Sequence, residues 1–66
     1  MEIFVNGQAH QIESPSSLIQ LIDHLGLEPR KMAIERNLEI VPKSAWEQTA
    51  LNAGDRIEIV QFVGGG

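Results

Sequence analysis

The C-terminus is the part of this sequence best suited to chemistry. Three glycines, Gly64, Gly65 and Gly66, directly follow an apolar, strand-like segment and end the chain. Residues without a Cβ atom can enter a narrow channel and lie close to a partner's backbone. The group that such a tail delivers is the α-carboxylate of Gly66, which is ionised at neutral pH. A carboxylate can attack the α-phosphate of ATP in a partner's active site, and the acyl-adenylate can then accept sulfur, an amine or a thiol.

Two apolar residues just before the tail suggest how a partner would be held. In the segment Arg56 to Val63, alternation places Ile57 and Ile59 on one side of a strand and Val60 and Phe62 on the other. If Val60 and Phe62 are exposed, they form an apolar patch beside the reactive end, which is typical of a partner-binding site. Composition alone equally allows a frayed glycine terminus, and Phe62 could instead fold back onto the sheet edge.

The side chains predict no other reactive centre. His10 and His24 stand apart, cysteine is absent, and the nine acidic residues are scattered. We therefore expect no metal site, no bound cofactor and no free-standing enzyme activity.

Composition limits the class of protein. Sixty-six residues, 42% of them hydrophobic, suit one small globular domain. A net charge of −4 disfavours nucleic acid and anionic lipid and favours a basic partner, although it could simply keep the protein soluble. No apolar run could span a membrane and the start lacks a signal-peptide pattern, so we expect a cytoplasmic protein.

The elements that would position the tail follow from local patterns. Asn6-Gly7 predicts a type I′ turn between a strand at residues 1–5 and a strand at residues 8–13. Ser17 with Gln20 predicts a capping box, and Gly26 a helix end, around the apolar spacing of an amphipathic helix.

After a loop at Pro29 to Lys31, the pattern predicts strands at residues 32–36, 39–41 and 56–63. Asn37-Leu38 and residues 52–55 form turns, and a short helical turn lies within residues 43–48. One helix over a mixed sheet of four or five strands is the α+β architecture called β-grasp, or ubiquitin-like. We expect residues 1–63 to form this domain and residues 64–66 a flexible tail.

Seven stretches of the chain together resemble the thiamin-biosynthesis sulfur carriers, the ThiS family, over essentially the full length. They are Asn6-Gly7, Ser17-Leu18-x-x-Leu21-Ile22, Leu25-Gly26-Leu27, Ala33-Ile34 with Asn37, Ile40-Val41-Pro42-Lys43-Ser44-x-Trp46, Gly54-Asp55-x-Ile57-Glu58-Ile59, and Gly65-Gly66. The Gly-Asp strand and the Gly-Gly end are shared with the wider superfamily, which includes the molybdopterin-synthase small subunit and ubiquitin. Leu38, where a turn glycine is common, and the third glycine, Gly64, depart from the pattern.

The resemblance implies a specific chemistry. A ThiF-type adenylyltransferase would consume ATP to adenylate Gly66. Sulfur from a cysteine desulfurase or a sulfur relay would then convert the terminus to a thiocarboxylate. The thiazole synthase ThiG would take that sulfur to build the thiazole ring. Two alternatives stay open, namely a sulfur carrier for molybdopterin, in a family that is usually longer, and a ubiquitin-like modifier or binding module.

Overall fold

The computed structural model describes residues 1–62, and in that range the chain forms five strands, one α-helix and two short 3₁₀ turns. The strands are β1 (Glu2–Val5), β2 (Gln8–Gln11), β3 (Met32–Arg36), β4 (Glu39–Ile40) and β5 (Arg56–Gln61), the helix is α1 (Leu18–Leu25), and the 3₁₀ turns are Pro29–Lys31 and Lys43–Ala45.

The local turn and capping predictions are confirmed. Asn6 and Gly7 have φ angles of 49° and 83°, as a type I′ turn requires at both central positions. At the start of α1 the Ser17 hydroxyl accepts a hydrogen bond from the Gln20 amide at 3.3 Å, and the Ser17 amide donates to the Gln20 side chain at 2.8 Å. The helix ends at Gly26, whose φ of 71° is left-handed.

The sheet confirms the β-grasp architecture. Its strand order is β2-β1-β5-β3-β4. The β1–β5 pair is parallel, and the other pairs are antiparallel. The first and last strands of the chain therefore lie side by side in the centre, and α1 covers one face of the sheet.

The core lies between the helix and that face. Its fully buried side chains include Leu18, Leu21 and Ile22 from α1 and Ile3, Ile34 and Ile57 from the sheet. Each such side chain contributes about 1.5–3 kcal/mol relative to an exposed position. Four further residues complete the buried core: Val5, Met32, Trp46 and Leu51.

Some predicted boundaries are wrong. The strand β2 ends at Gln11 rather than at residue 13, and β4 ends at Ile40 rather than at Val41. One further backbone hydrogen bond follows the end of each strand. After β2 the Ile12 amide donates to the Met1 carbonyl, and after β4 the Val41 amide donates to the Ile34 carbonyl. The predicted loop at Pro29–Lys31 is a 3₁₀ turn. Within residues 1–62 no helix is long and apolar enough to cross a membrane.

Candidate functional site: the end of β5 and the open face of the sheet

The strand β5 is the last strand of the described residues and runs through the middle of the sheet. It lies between β1 and β3, and Ile57 is fully buried under the helix. Beyond Gln61, the Phe62 amide donates a hydrogen bond of 2.7 Å to the Lys31 carbonyl. This bond fixes the point from which the last four residues start. The predicted reactive residues Gly64, Gly65 and Gly66 lie outside the described residues.

The side chain of Asn6 holds the middle of β5. The strand β1 ends at Val5, so Ile59 has no residue of β1 beside it. The Asn6 side chain takes that place, because its Oδ1 accepts from the Ile59 amide at 2.7 Å and its Nδ2 donates to the Ile59 carbonyl at 3.2 Å. One residue thus forms the hairpin turn and extends the parallel ladder.

Asn37 holds the beginning of β5 in the same way. Its amide donates to the Arg56 carbonyl at 2.8 Å, and its side-chain oxygen accepts from the Arg56 amide at 2.9 Å. Its Nδ2 donates to Asp55 at 3.1 Å. Two turn asparagines therefore fix β5 at two points, which the turn patterns in the sequence did not predict.

Asp55 is a buried carboxylate with a full set of partners. It accepts hydrogen bonds from the Asn52 amide at 2.8 Å, from Nε of Arg36 at 2.9 Å and from Asn37. Burial by itself raises the pKa of Asp55, but these hydrogen bonds and the Arg36 charge outweigh it and hold the pKa below the ordinary value. The Gly54-Asp55 pair is thus structural, and it connects β3 to the start of β5.

The open face of the sheet carries the two residues predicted to bind a partner. Val60 and Phe62 are 56% and 58% exposed. Ile59, on the opposite side of the strand, packs against the core. The predicted alternation along β5 is confirmed, and docking on Val60 and Phe62 stays a prediction.

Two exposed apolar residues on the β3–β4 hairpin were not predicted. Leu38 is 90% exposed and has a φ of 72°, in the left-handed region that a leucine rarely adopts. Ile40 is 73% exposed. The hydrophobicity of Ile40 indicated only a strand, because which face it occupies depends on the register of β4.

In the stretch from Ile40 to Trp46, the last residue is part of the buried core. Trp46 is 2% exposed, and its indole N–H donates to the Val41 carbonyl at 2.9 Å. The Lys43 ammonium lies 6.0 Å from the centre of the indole ring. Among residues 1–62 no three His, Asp or Glu side chains are grouped so that they could hold a metal ion.

The sequence and the fold are similar to those of known proteins. The model of the ThiS family matches residues 3–66. The sulfur carrier protein ThiS of Escherichia coli is 32% identical over 66 residues, and the match covers both chains completely. A crystal structure of the thiamine biosynthesis protein ThiS from Geobacter metallireducens superposes with a TM-score of 0.85 at 26% identity, with all of each chain covered.

A third relative is larger. The thiazole synthase of Paramagnetospirillum magneticum is 47% identical over all 66 residues of this chain, which match only 20% of that protein. The chain thus spans about a fifth of the length of that relative.

Proposed function

We propose that this chain, which belongs to the ThiS family of sulfur carriers in thiamin biosynthesis, carries sulfur on the carboxylate of Gly66. The observation that supports this site most directly is the family match, which continues through residue 66. Residues 1–62 hold no grouped metal ligands, and the whole chain has no cysteine. The terminus is therefore the best available acceptor.

The chemistry takes three displacements. An oxygen of the Gly66 carboxylate attacks the α-phosphorus of ATP, the bond to the bridging oxygen breaks, and pyrophosphate leaves. A cysteine persulfide, formed by a cysteine desulfurase, then attacks the acyl carbon with its terminal sulfur, and AMP leaves. A second thiol attacks the cysteine sulfur of the resulting acyl disulfide, so that a disulfide forms between the two cysteine sulfurs and the S–S electron pair leaves with the terminal thiocarboxylate. A ThiF-type adenylyltransferase would catalyse the activation, and this chain would supply the substrate without being an enzyme itself.

The acceptor of the sulfur is a thiazole synthase of the ThiG type. Support comes from the relative that contains a domain similar to this chain within a protein named thiazole synthase. A domain fused to the enzyme that it serves reaches a high effective concentration at the active site. The same encounter between separate chains would need a docking surface, as would the encounter with the activating enzyme, for which Val60 and Phe62 are the candidates.

The experiment is ATP-dependent loading followed by intact-protein mass spectrometry with the cognate adenylyltransferase and sulfur donor. The wild-type chain should gain the mass of one oxygen exchanged for sulfur, and a chain that lacks Gly66 should gain nothing. The circular dichroism spectrum of the truncated chain should be unchanged, because the described core ends before the tail. Loading of the truncated chain at the normal rate would refute the assignment of Gly66.

A second pair of variants tests the narrow-channel argument. Gly65→Val should fold normally but lose loading through a steric clash, whereas Gly65→Ala, the smaller control, should lose less. Equal loading of both variants would show that the channel is not narrow at this position.

Docking is tested with two exposed positions on the same face. Burying a whole valine contributes about 1.5–3 kcal/mol, and Val60 has 56% of its surface free to be buried. Val60→Glu should therefore raise the KM for the carrier about fourfold or more in ATP–pyrophosphate exchange. Ala9→Glu, exposed on the outer strand β2, is the matched control. A large fall in melting temperature with an unchanged KM would show that Val60 supports the fold instead.

The pathway is tested in cells. Loss of the gene should create a requirement for thiazole or thiamin and spare molybdoenzymes. The reverse phenotype would assign the chain to molybdopterin, and abundant lysine-linked conjugates would identify it as a protein modifier.

A further inference from the structure

The apolar surface near the tail extends over three strands. Ala33 lies directly opposite Val60 in the β3–β5 pair, and Ile40 lies opposite Glu35 in the β3–β4 pair. Because residues two apart on a strand share a face, Ile40 is a diagonal neighbour of Ala33. The apolar stripe, as we name it, consists of Ile40, Ala33, Val60 and Phe62.

Two glutamates flank the apolar stripe. Glu35 and Glu58 are directly opposite each other in the β3–β5 register, a position at which like charges destabilise a sheet. Among the salt bridges formed within residues 1–62, neither carboxylate takes part. Arg56, on the same face, lies 5.9 Å from the Phe4 ring centre and bridges neither glutamate. Within residues 1–62 the fold therefore leaves both glutamates of this facing pair outside any salt bridge.

We propose that this acidic face docks on the activating enzyme, with one arginine or lysine of that enzyme between Glu35 and Glu58 and an apolar surface on the stripe. The inference rests on the proposed function, because it concerns the partner that adenylates the tail. An enzyme that holds ATP phosphates and attracts a carboxylate needs positive potential around its active site. The net charge of −4 and the glutamate pair are complementary to such an entrance.

The position of the pair predicts which kinetic constant it controls. Glu58 precedes Phe62 by four residues, so the pair contacts the partner's surface while the tail extends toward the nucleotide. Removal of the charges should weaken the encounter and leave the reaction of the Gly66 carboxylate unchanged. Electrostatic contacts of this kind set association rate and salt dependence.

The test uses the full chain, the cognate activating enzyme and ATP–pyrophosphate exchange at low and at physiological salt. Glu35→Gln with Glu58→Gln should raise the KM for the carrier about tenfold at low salt, leave kcat unchanged and flatten the rise of KM with salt. Ile40→Ser should raise KM without changing the salt dependence. Glu47→Gln, which removes an exposed charge outside the sheet, is the control.

A thermal melt distinguishes docking from a structural role. Loss of the repulsion should leave the melting temperature of the double variant unchanged or higher, whereas a structural role would lower it. A wild-type KM and salt dependence in the double variant would overturn the proposal, as would a loss of thiazole synthase binding with normal activation. If the wild-type chain itself supported no exchange, the proposed function would fail, which is a different result.

Discussion

Asp55→Ala is expected to be the most damaging single polar substitution in this domain. It removes three hydrogen-bond acceptor contacts at once and leaves the guanidinium of Arg36 without its partner. Removing one member of a buried ion pair costs about 3–5 kcal/mol. Because 26% of the Arg36 side chain is still exposed, water can partly replace the carboxylate, and we expect about 3 kcal/mol. A domain of this length has a total unfolding free energy of only about 3–10 kcal/mol.

The measurement is urea and thermal unfolding followed by circular dichroism. At about 4–8 °C per kcal/mol for a small domain, Asp55→Ala should lower the melting temperature by about 12–24 °C. Arg36→Met and the double variant complete a double-mutant cycle. The losses of unfolding free energy in the two single variants should be far from additive in the double variant. A loss below about 1 kcal/mol for Asp55→Ala, with Arg36 intact, would refute the assignment of Asp55 as the centre of this cluster.

The same residue predicts how stability depends on pH. Its pKa in the folded state is below the ordinary value. The stabilisation is therefore fully present above the unfolded pKa of about 3.9 and is lost as the pH falls through the folded-state pKa. The stability gap between wild type and Asp55→Asn should shrink on going from neutral pH to strong acid. A gap that is independent of pH would show that the Asp55 charge contributes nothing.

Two further predictions concern the turns. Leu38→Gly should raise the unfolding free energy by about 0.5–1 kcal/mol, because glycine adopts the left-handed conformation without a steric penalty. Leu38→Ala keeps that penalty, so its melting temperature should equal that of the wild type. An equal rise in melting temperature for both variants would contradict the reasoning. Asn6→Gly keeps the turn but removes two hydrogen bonds to Ile59, so it should cost about 1–3 kcal/mol. Hydrogen exchange at the Ile59 amide should quicken, and unchanged protection there would show that the Asn6 side chain does not hold β5.

Features set by near neighbours in the chain were predictable from the sequence. The Asn6-Gly7 turn, the Ser17–Gln20 capping box and the Gly26 helix end each depend on residues within a few positions. The alternation along β5 likewise predicted which of its residues face the helix. These local elements sufficed to predict the β-grasp architecture, because one helix has few ways to cover a small mixed sheet.

Features set by distant contacts were not predictable in the same way. Asp55 and Arg36 are 19 residues apart, and the sequence indicated only a turn at Gly54-Asp55. The facing glutamates of the open face depend on the register of β3 against β5, since a shift by one residue would move every side chain to the other face. The part of the candidate site near the tail was predicted from β5 alone. Its extension to Ile40 required the register of two more strands.

Under the proposed function, the contacts along β5 would set the point from which the C-terminal carboxylate is delivered to a partner. The strand is fixed at Arg56 by Asn37, at Ile59 by Asn6 and at Phe62 by the Lys31 carbonyl. Four residues extend at most about 14 Å, so under the proposed function the acceptor carboxylate would act within that distance of Phe62. A partner that bound the face as proposed would therefore have the carboxylate within reach of its nucleotide, and the glycines would need only to pass through the channel. Specificity can then reside in the folded body and reactivity in the terminus, which is why side chains of the sheet should affect KM while the terminal glycines affect the reaction itself.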